Sequence, residues 1–342
     1  MRIKSVDILN GGEVLAESIL THENVELIPK GTAIKEDYIP LIQALGIDAL
    51  KIEDPYKDLE KPNMIIQSGR FEEIVSRVQK VMESHIYHTN RSLREFEVIA
   101  NEIVKEIDGV PEQTVIDVNE HTANLYEHTV MVTLLGVTIA KKLNLDRKKR
   151  YDIALGCLLH DIGIRYITVK YNNHDWSKSD PMEAFEFKKH TILGYSALEE
   201  EVWVPDITRK MVLSHHERLD GSGFPMHQKN REIECKIIQV CDVFDCCISG
   251  MECRRMSVQE ALDRISAEAG HWYEKKIVYC LISMIAKYPV GTTVKTNDGM
   301  EGVVISQTPD PENPIIMILN AEGENRMRNL MLEEAISILQ VV

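Results

Sequence analysis

Histidines and aspartates recur through the middle of this chain, each in or beside a strongly apolar segment. His128 lies in EHTVMVTLLGVTIA, the doublet His160-Asp161 in IALGCLLHDIG, and His190 in FKKHTILGY. The doublet His215-His216 follows in RKMVLSHHE, and Asp242 in IIQVCDVFDCCIS. A buried histidine brings two ring nitrogens that each need a partner, so adjacent histidines are awkward in a plain core. Imidazole and carboxylate are ligands for divalent transition metals, and side chains on separate packed helices hold such ions rigidly. An aspartate directly after a histidine has a further use: one of its oxygens can bridge to a second ion while the imidazole binds the first. A lone histidine in a helix is more often a hydrogen-bonded core or surface residue, and His22, His85, His88, His174, His227 and His271 are read that way. His121, seven residues before His128 and on the same helical face, is a secondary candidate.

The elements that must position these groups are mostly helical. From about Asn119 to Lys287 helix follows helix, interrupted by loops at Tyr171–Pro181 and Asp220–Arg231. Phe71 to Asp108 also carries apolar residues at helical spacing, as in Ile74, Val78, Val81 and Met82, and Gly109-Val110-Pro111 ends that run. At the N-terminus SVDIL and EVLAESI are strand-like around Gly11-Gly12, PKGT marks a turn, EDYIPLIQALGI is helix-like and DALKI is a strand. Glu53 to Asn63 is a polar, proline-bearing linker. Past Pro289 the pattern alternates in strand fashion, with Asn297-Asp298-Gly299 as a hairpin signal. The expected architecture is mainly α. A small α+β unit spans 1–55, a linker and helical segment 56–118, a helical bundle 119–288 and a small β unit 289–342.

The motifs resemble those of the HD-GYP subgroup of the HD-domain metal-dependent phosphohydrolases. LLHDIG matches the HD signature, and HHERLDGSGFP matches the HHExxDGxGYP signature with Phe224 in place of tyrosine. KKHTILGY resembles the segment with the intervening histidine and VCDVFD the segment with the last aspartate, the likeness covering about 119–265. The resemblance implies a cluster of at least two divalent ions, usually iron or manganese, with zinc, nickel or cobalt as chemical alternatives. Its ligands would be His128, His160, Asp161, His190, His215, His216 and Asp242, with Asp161 bridging. It implies in-line attack on a phosphodiester by a hydroxide held between the ions. The usual substrate is cyclic di-GMP, opened to the linear dinucleotide and in some members carried on to GMP. Asp245, three residues past Asp242, would be a supporting carboxylate or proton carrier. Lys188, Phe224, Arg254 and Arg255 would hold the substrate. Within HHERLDGSGFP, Glu217 would orient an imidazole or cap nearby backbone, and the glycines would allow unusual backbone angles.

Four positions depart from the family pattern. Asn124 stands where members with three metals carry a glutamate, which favours two ions. Ile164 follows Gly163 where a lysine is usual, with Arg165 one position later and about 100° away on a helix. Met251-Glu252-Cys253-Arg254 replaces an Arg-Pro-Tyr-Arg-like run, and Phe224 lacks the usual hydroxyl. These leave two alternatives beside a cyclic di-GMP phosphodiesterase: a phosphohydrolase of the same fold acting on another nucleotide or phosphoester, and a catalytically weak metal-bound signalling or protein-interaction module.

Composition narrows the classes further. A net charge of −15 argues against a nucleic-acid polymer as partner, since phosphate binding of that kind needs excess Lys and Arg. No apolar run approaches the roughly 20 residues a membrane span needs, and the N-terminus has no signal-like stretch. A cytoplasmic protein is expected. The seven cysteines, Cys157, Cys235, Cys241, Cys246, Cys247, Cys253 and Cys280, form no CxxC pair and read as reduced buried thiols rather than metal ligands. A homodimer or a signalling protein is the expected macromolecular partner.

Overall fold

A computed structural model describes residues 2–6, 9, 11–20, 25–47, 49–53, 58, 60–87, 93–111, 115–118, 121–171, 174, 176, 178–229, 231–318 and 326–341. Outside them lie Asp7 and Ile8 of the first expected strand, His22, Asp48, His88 and Asn119. Positions 54–57 and 59 of the polar linker and 172–173, 175, 177 and 230 of the two loops are also outside.

The fold is mainly α, with small sheets at either end. Strand β1 (Arg2–Ser5) precedes β2 (Ile19–Leu20), β3 (Glu26–Ile28), helix α1 (Ile39–Ala44) and β4 (Ala49–Ile52). β1 pairs antiparallel with β4, and β2 with β3. The expected strand over EVLAESI forms as isolated bridges at Val14 and Leu15 that lead into β2. Leu15, Ile34, Ile42 and Ile52 close a small core of their own.

Helices α2 (Ser68–Tyr87) and α3 (Glu95–Asp108) follow, then α4 (Leu125–Lys142), α5 (Arg147–Leu159), α6 (Pro181–Lys188) and α7 (His190–Ala197). α8 (Asp206–Ser214), α9 (Ile233–Ser249), α10 (Val258–Ala267) and α11 (Lys275–Ile282) complete the bundle. α4 is the central helix because it is apolar all round: every residue from His128 to Ala140 is buried, as expected of a helix surrounded by others. Asn124 caps its start, accepting from the backbone N–H groups of Tyr126 and Glu127 at 2.9 and 3.2 Å. At its other end Lys141 donates to the carbonyl oxygens of Ile107 and Val110, where it satisfies the end of α3 and complements that helix's dipole. α2 and α3 pack into the same apolar core as α4 to α11, through Ile74, Val78, Met82, Phe96, Ile99 and Ile103. Arg70 and Arg77 both bind Glu102 across the α2–α3 seam.

Beyond α11, strands β5 (Thr293–Thr296), β6 (Glu301–Ser306), β7 (Ile315–Ile318), β8 (Arg326–Asn329) and β9 (Ile338–Val341) form one antiparallel sheet in the order β8-β7-β6-β5-β9. The Asn297-Asp298-Gly299 signal falls in the β5–β6 hairpin. Among the described residues no helix is long and apolar enough to cross a membrane.

Asp117 ties the helices to this sheet. Its Oδ2 accepts from the Asn63 N–H at 2.7 Å, and its Oδ1 from the Val290 N–H and the Gln307 amide, both at 2.8 Å. Removing a buried acceptor strands its donors, at about 1–3 kcal/mol each. Asp117→Ala is therefore expected to cost about 3 kcal/mol or more in urea unfolding, with Asp117→Asn much milder. Equal midpoints for wild type and the alanine variant would remove Asp117 as a tie.

Candidate metal centre

The doublet His160-Asp161 sits where α5 ends. His160 is still helical, Asp161 has φ −101° and ψ 14°, and Ile162–Tyr166 forms a 3-10 turn. Leaving the helix lets the two neighbouring side chains converge, where a continuing helix would splay them by about 100°. Arg165 accordingly lies in the 3-10 turn rather than on an α-helix, and its Nε is buried without a hydrogen-bond partner. His190 opens α7 and His215 caps the end of α8, whereas His128 projects from the first turn of α4 and Asp242 from the middle of α9. The fully buried Ile238, Cys241 and Phe244 anchor α9 around Asp242.

Local backbone fixes three of the imidazoles. His160 Nδ1 donates to the Cys157 carbonyl oxygen at 2.7 Å, His190 Nδ1 to Phe187 at 2.7 Å and His215 Nδ1 to Val212 at 2.8 Å. A carbonyl only accepts, so the proton sits on Nδ1 and the Nε2 lone pair faces inward. His128 is held from behind by a carboxylate: its Nδ1 lies 2.7 Å from Asp245 Oδ2, and Asp245 Oδ1 lies 3.0 Å from His121 Nε2. His121 thus belongs to the site, but it reaches it from the segment before α4. The helix begins only after the Asn124 cap, so His121 and His128 do not share a helical face.

The inward nitrogens meet in pairs. His128 and His160 bring their Nε2 atoms within 3.2 Å, and so do His190 and His215. Two such nitrogens can share one proton at most, whereas a transition-metal ion accepts both lone pairs. Asp161 lies between the pairs. Its Oδ2 is 3.6 and 3.4 Å from His128 and His160 Nε2, and its Oδ1 is 3.6 and 3.5 Å from His190 and His215 Nε2. Neither oxygen has a hydrogen-bond partner, although the residue is 0% exposed. Asp242 Oδ1 is 3.2 Å from His128 Nε2, and its Oδ2 is 3.6 Å from His216 Nδ1. Ligand atoms about 2.1 Å from one ion lie about 3.0 Å apart at a right angle and about 3.4 Å apart at the tetrahedral angle. The separations of 3.4–3.6 Å are long for hydrogen bonds, and all of them fit the edges of coordination polyhedra. The donor set, the unpartnered Asp161 oxygens and the paired nitrogens together suit two transition-metal ions.

Electrostatics agree with that fit. Burial alone would push the Asp161 carboxyl up, but the surrounding imidazoles, His160 first, hold it well below the usual carboxylate range. Burial opposes charge on His160, yet Asp161 and Asp242 raise it to about 10. His190 falls to about 4 through burial, and His216 is lowered by burial and by His215. Protons on one side of the cluster thus take the place of the positive charge that its buried carboxylates require.

The cluster opens on one side. His216 is 14% exposed and Glu252 11%, against 3% or less for His128, His160, Asp161, His190, His215 and Asp242. At this mouth Phe224 stacks on His216 with ring centroids 4.5 Å apart, and Lys188 Nζ lies 5.3 Å from the Phe224 ring centre. Arg254 is exposed in the loop after α9, whereas Arg255 donates to the His121 carbonyl oxygen at 3.0 Å. Glu217 does not meet an imidazole; it accepts from the N–H groups of Met226 and Gln228 at 2.6 and 2.9 Å and closes the glycine loop. Gly221 has φ +84°, as expected of a turn glycine. Gly223 is needed for another reason: a Cβ there would lie 2.4 Å from Glu217 Cα and from the His216 carbonyl oxygen.

Three features escaped the sequence reading. Glu252 enters the cluster from the loop after α9. Trp176 stacks on Phe187 at 4.3 Å, and Phe187 lies 4.7 Å from the His190 ring, so an aromatic wall backs α7. Cys246 Sγ lies 3.6 Å from Asp242 Oδ1, and burial pushes its thiol up, which leaves it a proton to donate to that carboxylate. Apolar flanks were the only available signal for the last two, and such flanks are too common to single them out.

Comparison with known proteins places this geometry. Residues 110–277 match the HD domain family. A cyclic di-GMP phosphodiesterase of Pseudomonas aeruginosa is 29% identical over 185 residues, 53% of this chain and 44% of that protein. A cyclic di-GMP phosphodiesterase of Thermotoga maritima is 29% identical over 168 residues, 46% of this chain and 44% of that protein. The chain thus spans less than half the length of these curated relatives. Among solved structures, an HDG"Y"P protein of Bdellovibrio bacteriovorus aligns over 82% of this chain and 97% of its own, with a TM-score of 0.49 and 14% identity. Residues 110–277, the segment that matches the HD domain family, carry every histidine and carboxylate of the cluster.

Proposed function

We propose that this protein is a phosphodiesterase that holds two divalent ions, iron or manganese, and opens cyclic di-GMP to the linear dinucleotide. The observation that carries the reading is the buried Asp161 carboxylate, whose two unpartnered oxygens face two different pairs of imidazole nitrogens. His128, His160 and Asp242 would hold one ion and His190, His215 and His216 the other, with Asp161 shared. Such a pair supplies Lewis acidity at a phosphodiester and makes water acidic enough to act as the nucleophile near neutral pH.

The chain's own residues do the rest. The carbonyl oxygens of Cys157, Phe187 and Val212 keep three imidazoles in the ligating tautomer. Asp245 does the same for His128 and is backed by His121. The Phe224 ring and the Lys188 ammonium stand at the mouth, where a base can stack and a phosphate can be paired. Two relatives over this segment are named cyclic di-GMP phosphodiesterases, which favours that substrate.

Anaerobic purification, elemental analysis and a hydrolysis panel test the reading. The panel holds cyclic di-GMP, a mixed guanine–adenine cyclic dinucleotide, cyclic di-AMP and the linear dinucleotide. Cyclic di-GMP is expected to turn over fastest with two iron or manganese ions per chain. Faster turnover of another phosphoester would reassign the substrate, and saturable binding without turnover would favour a receptor. Asp245→Asn keeps the shape behind His128 but removes the charge. It is expected to weaken metal retention about 10–100-fold in a chelator competition, and retention equal to wild type would strip Asp245 of its positioning role.

A further inference from the structure

The loop after α9 brings a carboxylate into the cluster that the ligand set above does not use. α9 ends at Gly250, which has φ +80°, and the chain reverses so that Glu252 also adopts a left-handed backbone, φ +63°. For a residue other than glycine, asparagine or aspartate this conformation costs roughly 1–2 kcal/mol, so neighbouring structure must hold it. The Glu252 N–H donates to the Tyr171 carbonyl oxygen at 3.1 Å, and the Met256 N–H to Cys247 at 2.8 Å; together these pin the loop over the cluster.

The side chain that results points inward and lacks a counter-charge. It is 11% exposed, its Oε1 is buried with no hydrogen-bond partner, and among the described residues no lysine or arginine pairs with it. Its Oε2 lies 3.7 Å from His216 Nε2, a nitrogen that likewise has no hydrogen-bond partner. The separation matches the other ligand-to-ligand edges of the cluster. Ligand atoms of Asp161, His190 and Glu252 all lie within 4.8 Å of one another, close enough to surround one ion. A buried carboxylate beside two others is strongly unfavourable unless a cation neutralises it.

We propose that Glu252 is itself a metal ligand, coordinating the ion on the His190–His215 side together with Asp161. This rests on the two-ion reading and goes beyond it by giving each side a carboxylate of its own, Asp242 on one and Glu252 on the other, beside the shared Asp161. The loop end thereby closes part of the mouth with a metal-bound side chain and leaves Lys188 and Phe224 on the open part.

Manganese titration of the anaerobically prepared, metal-stripped full chain tests this, with bound ions counted by electron paramagnetic resonance of the free ion. Wild type is expected to bind two ions. Glu252→Gln keeps the volume and a polar side chain beside His216 but removes the charge. It is expected to bind one ion as wild type does and the other about 10–100-fold more weakly. Should the glutamine variant not fold by circular dichroism, Glu252→Asp is used instead; drawing the carboxylate back by one methylene must weaken the same single ion. Wild-type affinity for both ions, or equal loss of both, in a folded variant overturns the assignment and leaves the two-ion reading standing. A wild-type chain that binds no transition metal overturns both.

Discussion

Asp161→Asn is expected to empty both halves of the centre at once and to lower phosphodiester hydrolysis by about three orders of magnitude or more. The size follows from what the residue touches. Four imidazole nitrogens lie 3.4–3.6 Å from its two oxygens, two to each oxygen, so each ion of a bound pair would draw on one carboxylate oxygen. An amide offers one oxygen and turns an N–H₂ toward the other pair, where two inward lone pairs await a metal and not a proton. The bridging charge disappears at the same time. Several kcal/mol of transition-state stabilisation is attributed to metals acting on phosphoryl oxygens, and about 1.4 kcal/mol is tenfold in rate. A rim residue should behave differently. His216 is 14% exposed, and His216→Ala should weaken one ion more than the other. The measurements are metal per chain by elemental analysis and turnover of the preferred cyclic dinucleotide. An asparagine variant that retains two ions and normal turnover would end the two-ion reading.

How far the sequence discloses this site depends on where each residue sits on its element. His128, His160, Asp161, His190, His215, His216 and Asp242 are legible because each is a costly polar group in an apolar segment, and five apolar segments carrying them imply a shared interior. The β5–β6 hairpin is legible because its turn chemistry is local. What is not legible depends on backbone that leaves regular structure. Glu252 is one residue in a loop, and nothing in Met251-Glu252-Cys253 announces the left-handed turn that points it inward. His121 lies at helical spacing from His128 yet reaches the cluster from outside the helix, because Asn124 starts α4 after it. Arg255 is cationic, as a phosphate-binding residue would be, and gives one of its N–H groups to the His121 carbonyl oxygen, a contact its residue type does not announce. In each case the residue type was visible and its direction was not.

The glycine in LLHDIG supplies the second large effect, and its reason is steric. The 3-10 turn after Asp161 packs directly on the first turn of α7. A Cβ on Gly163 would lie 1.8 Å from the His190 carbonyl oxygen, 2.6 Å from Gly194 N and 2.8 Å from the His190 carbonyl carbon. All three are backbone atoms, so no side-chain rotation relieves the clash and α7 must retreat by more than 1 Å, roughly the deficit against a normal contact of about 3.5 Å. Metal–ligand distances tolerate only about 0.2 Å. Retreat of α7 therefore carries His190 away from His215 and Asp161. Gly163→Ala is expected to cost about 3 kcal/mol or more in urea unfolding of the metal-free chain, at the upper end of overpacking losses. The fraction that folds should bind fewer than two ions. Gly194→Ala serves as the contrast, since its Cβ would meet the movable Val212 side chain at 3.0 Å and Gly163 N at 3.3 Å. It should lose less stability and keep both ions. If Gly163→Ala unfolds at the wild-type midpoint with two ions bound, then the turn and α7 do not pack as described. The approach of Asp161 to His190, on which the shared carboxylate depends, would fail with them.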